Sequence, residues 1–191
     1  SFNEIDKSES GNWAYVQSLL ELEKVIEKVT PRYIFFLHWS SKLPSYIFLN
    51  YECVCFHMSD LPYGRGGSPL QNLIADGHQE TILSALKMVE ELDAGPIYTK
   101  RPLELTGRAE DIYLRAGELS WEIIKWIVKE EPMPIPQKGE TSLFKRRSPS
   151  QSVLPKNGEM QGIYDHIRML DAPTYPMAFI VHGNYRLELH H

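Results

Sequence analysis

Cysteine is scarce in this 191-residue chain, positive charge is not in excess, and no apolar run is long. Each shortage excludes something. The only two cysteines are Cys53 and Cys55, too few for a disulfide framework. At i, i+2 on a strand they share one face, so they read as small buried apolar groups, and a reducing, cytoplasmic setting is expected. No apolar stretch approaches the roughly 20 residues that span a bilayer, and no leader pattern opens the chain, so no membrane partner is expected. Acidic residues outnumber basic ones by 25 to 20, a net charge of −5. Nucleic acid is therefore disfavoured as a partner, because neutralising phosphates takes clustered Lys and Arg. Neither the Rossmann nor the Walker glycine spacing occurs, nor a Gly-x-Ser-x-Gly elbow. No helix-borne His pair or Cys cluster offers a metal site, so no metal is expected.

What is present is ordinary globular composition, 42% hydrophobic and 24% charged, which argues against disorder. Ser18 to Glu21 fits a capping box, and Leu19, Leu22, Ile26 and Val29 follow at helical spacing up to Pro31. Tyr33–Leu37 and Cys53–Phe56 are continuous apolar runs, expected as strands buried on both faces, with a loop at Trp39–Pro44 between them. Ser68 and Pro69 suit the cap and first position of a short helix. Thr81–Val89 and Pro96–Leu103 read as strands around an Asp93-Ala-Gly95 turn. Ala109–Val128 reads as a long helix with Ile112, Ala116, Leu119, Ile123 and Ile127 inward. Residues 137–158 read as a surface crossover. A short helix follows over Gly162–Leu170, then a hairpin around Gly183-Asn184. This order predicts an α/β domain. Residues 1–136 would form its main part, with the first strand–helix unit missing, and 137–191 an extension of crossover, helix and hairpin.

Ligands of such sheets bind beyond the carboxyl ends of strands. His57 falls at such an end, followed by Gly64, Arg65, Gly66 and Gly67, and Asp93 lies 36 residues further on. Imidazole plus carboxylate is a proton-handling pair, and a nearby carboxylate favours the charged ring. The glycines can let backbone approach a ligand, and Arg65 can meet a phosphate bidentately. Each residue also has a plainer reading: a core histidine, an ordinary turn, a solvated arginine, a turn-forming aspartate.

The constellation resembles the 10-formyltetrahydrofolate-dependent formyltransferases. The residues that carry it are His57-Met-Ser59-Asp-Leu61-Pro62, Arg65-Gly66, Pro69-Leu-Gln71 and Leu92-Asp93-Ala-Gly95. They match the family's His-x-Ser-Leu-Leu-Pro loop and Leu-Asp-x-Gly turn. Phe144-Lys-Arg-Arg147 and Ile167 to Phe179 are similar to the tails of sugar N-formyltransferases. The resemblance implies a Rossmann-like formyltransferase fold with a mostly parallel sheet. It also implies 10-formyltetrahydrofolate as cosubstrate and a catalytic trio of Asn, His and Asp. His57 and Asp93 match two of the three. The Asn position holds Cys55, and Asn72 is the candidate substitute.

Trp39, Lys42, Leu43, Val89, Glu90 and Leu92 would hold the folate. Ser59, Tyr63, Arg65, Gly66 and Gly67 would hold the acceptor. The acceptor expected is a UDP-linked 4-amino-4,6-dideoxy sugar of the pseudaminic acid type. The acidic balance, and a length short of the family's usual extra domain, weigh against tRNA. A homodimer through the hairpin is a further implication. Two alternatives stay open: a non-catalytic folate- or nucleotide-sugar-binding module, and a formyltransferase for methionyl-tRNA or another amine.

Overall fold

The computed structural model describes residues 12–39, 42–173 and 175–191. The first helix, α1 (Leu19–Ile26), starts where Ser18 Oγ accepts the Glu21 N–H at 3.2 Å. The Glu21 carboxylate reaches back one residue further than in a capping box, to the Gln17 N–H at 2.7 Å. The helix ends before Val29, which is exposed rather than part of the apolar stripe. Strand β1 (Ile34–Phe36) follows, then a helix α2 (Ser45–Asn50) that the sequence does not announce. Its residues are mostly β-formers and Pro44 gives no side-chain cap, so burial of Ile47 holds it in place.

Strand β2 (Cys53–His57) pairs parallel with β1. On its other side it pairs antiparallel with β4 (Glu80–Lys87), which pairs antiparallel with β5 (Ile97–Glu104). The α/β architecture is as expected. The four-stranded sheet β1-β2-β4-β5 is mixed, with one parallel pairing among its three. The turn at Asp93–Gly95 accounts for one of the two antiparallel pairings: so short a connection returns β5 antiparallel to β4, whereas a parallel neighbour needs a crossover.

Both faces of the sheet are covered. Val54, Leu83, Ala85 and Leu103 pack under α4 (Ala109–Glu130) and α3 (Pro69–Ala75). Ile112, Ala116, Ile123 and Ile127 are the fully buried part of the α4 stripe, and Leu119 lies at its margin. On the opposite face, Ile34, Phe36 and Cys53 pack with Leu22 and Ile47. Alternation along the strand sends Cys53 and Val54 to opposite faces.

The C-terminal stretch shares this core through Met169, Leu170, Ala172 and Ala178. It contains α5 (Met160–Arg168) and a hairpin of β7 (Ala178–His182) and β8 (Tyr185–Leu189), turned by Gly183 at φ 58°. Buried Arg168 pairs with Asp165 at 2.6 Å and donates to the Leu105 and Gly107 carbonyls, which ties α5 to the β5–α4 connection. Val181, Tyr185 and Leu187 of the hairpin are exposed. No helix among the described residues is long and apolar enough to cross a membrane.

At the rim of the sheet, Glu52 accepts from Lys87 Nζ at 2.6 Å and from the Tyr98 hydroxyl. Burial pushes its carboxyl up, but these two bonds and the lysine charge outweigh that and hold it below the ordinary value. A depressed carboxylate stabilises the fold above its unfolded pKa, and that contribution is lost as pH falls through the folded value. Glu52→Gln should therefore lower stability at neutral pH and make no difference once pH drops below the carboxylate range, as read by urea unfolding at the two pH values.

Candidate active site

His57 is the last residue of β2, and the chain beyond it folds back on itself. Its Nε2 lies 2.8 Å from the Gly64 carbonyl, and since a carbonyl only accepts, Nε2 carries the proton. The Nδ1 atom then faces Asp93 Oδ2 at 3.5 Å, longer than the roughly 2.7–3.2 Å of a hydrogen bond yet well within electrostatic reach. With Nε2–H engaged, a second proton can enter the ring only at Nδ1, on the side of the carboxylate. Asp93 is set by its own turn: φ is 53°, a left-handed conformation that Asp tolerates better than most residues. Its Oδ2 accepts the Gly66 N–H at 2.8 Å. The two side chains are only 8% and 13% exposed, so the pair is shielded while still lining a cleft of about 2240 Å³.

The turn is braced by Gln137, a residue the sequence does not single out. Its amide donates to the Asp93 and Gly95 carbonyls at 2.7 and 2.8 Å, and its oxygen accepts from Arg65 Nε and Nη2. Removing it frees the backbone that aims Asp93. A net hydrogen bond is worth about 0.5–1.5 kcal/mol, so Gln137→Ala, which gives up the bonds to both carbonyls, should lower stability by about 1–3 kcal/mol in urea unfolding.

The glycines make room for a distant part of the chain. Strand β3 (Arg65–Gly66) pairs with β6 (Leu143–Phe144). A Cβ at Gly64, Gly66 or Gly67 would come within 2.4–2.5 Å of Phe144 or Arg146. These positions admit the 142–146 segment. Residues 137–158 are therefore no loose crossover in this part. Ser142 Oγ accepts the Gly64 N–H at 2.8 Å, which clamps the catalytic loop.

The structure sorts the sequence-derived residues. Trp39, Lys42, Leu43, Val89, Glu90 and Leu92 all line the cleft, as do Gly66 and Gly67. Three acceptor-site assignments are corrected. Ser59 is fully buried and donates to the Tyr63 and Gly64 carbonyls, so it braces the loop. Tyr63 lies outside the cleft lining and packs its ring near Phe144 and His78. Arg65 is engaged by Gln137 and Glu91 and does not line the cleft.

Asn72 is corrected too. Its amide donates to the Gly67 and Lys145 carbonyls at 3.0 and 3.1 Å, which leaves it no free hydrogen for a substrate oxygen. Nor does Ser68 cap α3; it has φ 52°, and its hydroxyl accepts from Arg147 N–H and meets the Tyr175 hydroxyl. Cys55 does line the cleft. Burial, and then the charge of Asp93, push its thiol up to about 12, so it stays protonated and adds no negative charge beside the pair. No group of three metal-ligating side chains occurs among the described residues.

Fold and site together define an α/β domain that holds an imidazole–carboxylate pair at a strand end, inside an open cleft. Residues 149–191 match the family model described as methionyl-tRNA formyltransferase, C-terminal domain. A methionyl-tRNA formyltransferase of Bacillus thuringiensis (strain Al Hakam) is 33% identical over 138 residues, which cover 68% of this chain and 43% of that protein. The chain thus spans less than half the length of the curated relatives it matches. A solved methionyl-tRNA formyltransferase from Clostridium thermocellum is 47% identical with a TM-score of 0.85, over 90% of this chain and 74% of that one. A 4-N formyltransferase from Francisella tularensis shares the fold, with a TM-score of 0.69 at 20% identity, over 88% and 72% of the two chains. The chain belongs to the formyltransferase family that includes methionyl-tRNA formyltransferase. Its tail does not separate it from the tRNA-acting branch, because that branch's C-terminal domain is what residues 149–191 match.

Proposed function

We propose that the protein transfers a formyl group from 10-formyltetrahydrofolate to the amine of a nucleotide-linked amino sugar. The observation that carries this is the convergence of His57 and Asp93 in one cleft, from opposite ends of a 36-residue separation. The chemistry requires one proton to move. The amine lone pair attacks the formyl carbon, and the C=O electrons collect on oxygen. Collapse of that intermediate breaks the bond to the folate N10, which keeps the electron pair and takes a proton, while the amine nitrogen gives one up. His57 can hold that proton at Nδ1. The ring is then positive beside the oxyanion, and Asp93 keeps that charge in place. A direct bond from Nε2 to the oxyanion would require the ring to leave Gly64.

Folate suits the side of the cleft lined by Trp39, Leu43 and Val89. The Trp39 indole N–H is buried there with no acceptor among the described residues, a donor suited to the polar edge of a pterin. The sugar acceptor rests on the Phe144–Arg147 motif, which lies before the matched tail, and on the acidity of the chain. Methionyl-tRNA is the second reading, favoured by the names of the relatives at 33% and 47% identity.

Incubation with formyl-labelled cosubstrate and, separately, UDP-4-amino-4,6-dideoxy sugars and methionyl-tRNA decides between them. Label on the sugar amine is expected. Label on tRNA alone would move the acceptor to the second reading, and folate binding with no product on any amine would overturn transfer.

A further inference from the structure

Arg65 was the cation expected to meet phosphate, and it is engaged elsewhere. Three others stand in its place. Lys145, Arg146 and Arg147 are consecutive and line the same cleft as His57 and Asp93. The chain carries more acidic than basic residues, so surface cations have many carboxylates to choose from. Yet none of these three forms an ion pair among the described residues. Arg147 donates from Nη2 to the Gln151 carbonyl at 3.0 Å, while its Nε is buried with no hydrogen-bond partner among the described residues. A guanidinium N–H shielded from water and lacking an acceptor is a donor waiting for one.

These side chains sit on fixed backbone. Asn72 holds the Lys145 carbonyl, and Ser68 Oγ takes the Arg147 N–H at 3.1 Å. A Cβ on Gly67 would lie 2.6 Å from Arg146 Cα, so the cationic run lies directly against the loop that carries the Asp93 contact at Gly66. The backbone of the run is thus fixed beside the His57–Asp93 pair, and none of its three charges is paired with a carboxylate among the described residues.

We propose that Lys145, Arg146 and Arg147 bind the diphosphate of the acceptor, a step that rests on the nucleotide-sugar reading above. Two guanidinium forks and an ammonium on adjacent residues match two adjacent phosphoryl groups, which arginine meets bidentately. A polynucleotide spreads its charge along a strand and calls for a longer basic track, which an acidic chain with this single cleft-lining run does not offer.

The test is calorimetric titration of the protein with inorganic pyrophosphate, UDP and UMP, on wild type, Arg147→Lys, and the double variant Arg146→Ala/Arg147→Ala. UDP should bind wild type at least ~10-fold more tightly than UMP, and the double variant should lose at least ~10-fold for UDP and pyrophosphate alike, a change of about 1.4 kcal/mol. Arg147→Lys, which keeps the charge without the fork, should fall between. In the transfer assay the double variant should raise the acceptor KM by a similar factor and leave the folate KM unmoved. Arg146→Ala alone, at an exposed position, guards against a folding artefact and should show part of the loss. Equal UDP affinity in wild type and double variant, or no UDP binding to either, overturns the site. This readout is independent of formyl transfer, so formylation of tRNA instead of a sugar would sink the acceptor reading while the titrations still decide the diphosphate site.

Discussion

His57→Ala should reduce formyl transfer by at least ~100-fold, the typical cost of removing a group that stabilises a developing oxyanion, while the protein stays folded. The folding side of that expectation follows from the loop. The Gly64 carbonyl loses the imidazole but keeps the Ser59 hydroxyl at 3.2 Å, so the stability cost should stay near one net hydrogen bond, about 1 kcal/mol. Asp93→Asn is the cleaner partner experiment. Asn tolerates the left-handed conformation that Asp93 adopts at φ 53° and offers an oxygen to the Gly66 N–H. What it removes is the negative charge 3.5 Å from His57 Nδ1. Turnover should drop by a comparable factor with the melting temperature nearly unchanged. Near-wild-type kcat in either folded variant would show that the pair does not handle the proton.

The largest structural effect should come from Gly95→Ala. A Cβ there would stand 1.7 Å from the Lys87 carbonyl oxygen and 2.9 Å from its carbon. That is backbone, so no flexible side chain can yield. The clash sits between the Lys87 N–H bond to the Pro96 carbonyl at 2.9 Å and the Gln137 bond to the Gly95 carbonyl. Overpacking of this kind costs about 1–3 kcal/mol or more, and in a domain of this size each kcal/mol moves the melting temperature by roughly 2–4 °C. Because the same turn aims Asp93, activity should fall below what the residual folded fraction explains. Gly162→Ala makes the contrast. That residue lies in α5 with nothing within 4 Å of an added Cβ, so the same substitution should stabilise by about 0.5–1 kcal/mol. Thermal melts of the two variants should shift in opposite directions; a destabilising shift at both would show that close approach is not what demands Gly95.

The sequence by itself determined whatever local chemistry decides. Apolar runs located β1 and β2, strand-like stretches on either side of the Asp93 turn located β4 and β5, and 3.6-residue periodicity located α4, because burial imposes those periods directly on the chain. The strand-end position of His57, the Asp93 turn and the family likeness were legible for the same reason: short segments with strong constraints. Tertiary structure alone decided where Arg65, Ser59 and Asn72 point. Each has two plausible uses. For Arg65 and Asn72 the choice depended on partners far along the chain, Gln137 and the Lys145 carbonyl; for Ser59 it depended on the loop folding back so that Tyr63 and Gly64 come within reach. It likewise decided that Gly64, Gly66 and Gly67 make room for Phe144 and Arg146. A glycine announces a close approach without naming what approaches. That information lies in packing between residues about 80 positions apart in sequence, which no local pattern encodes.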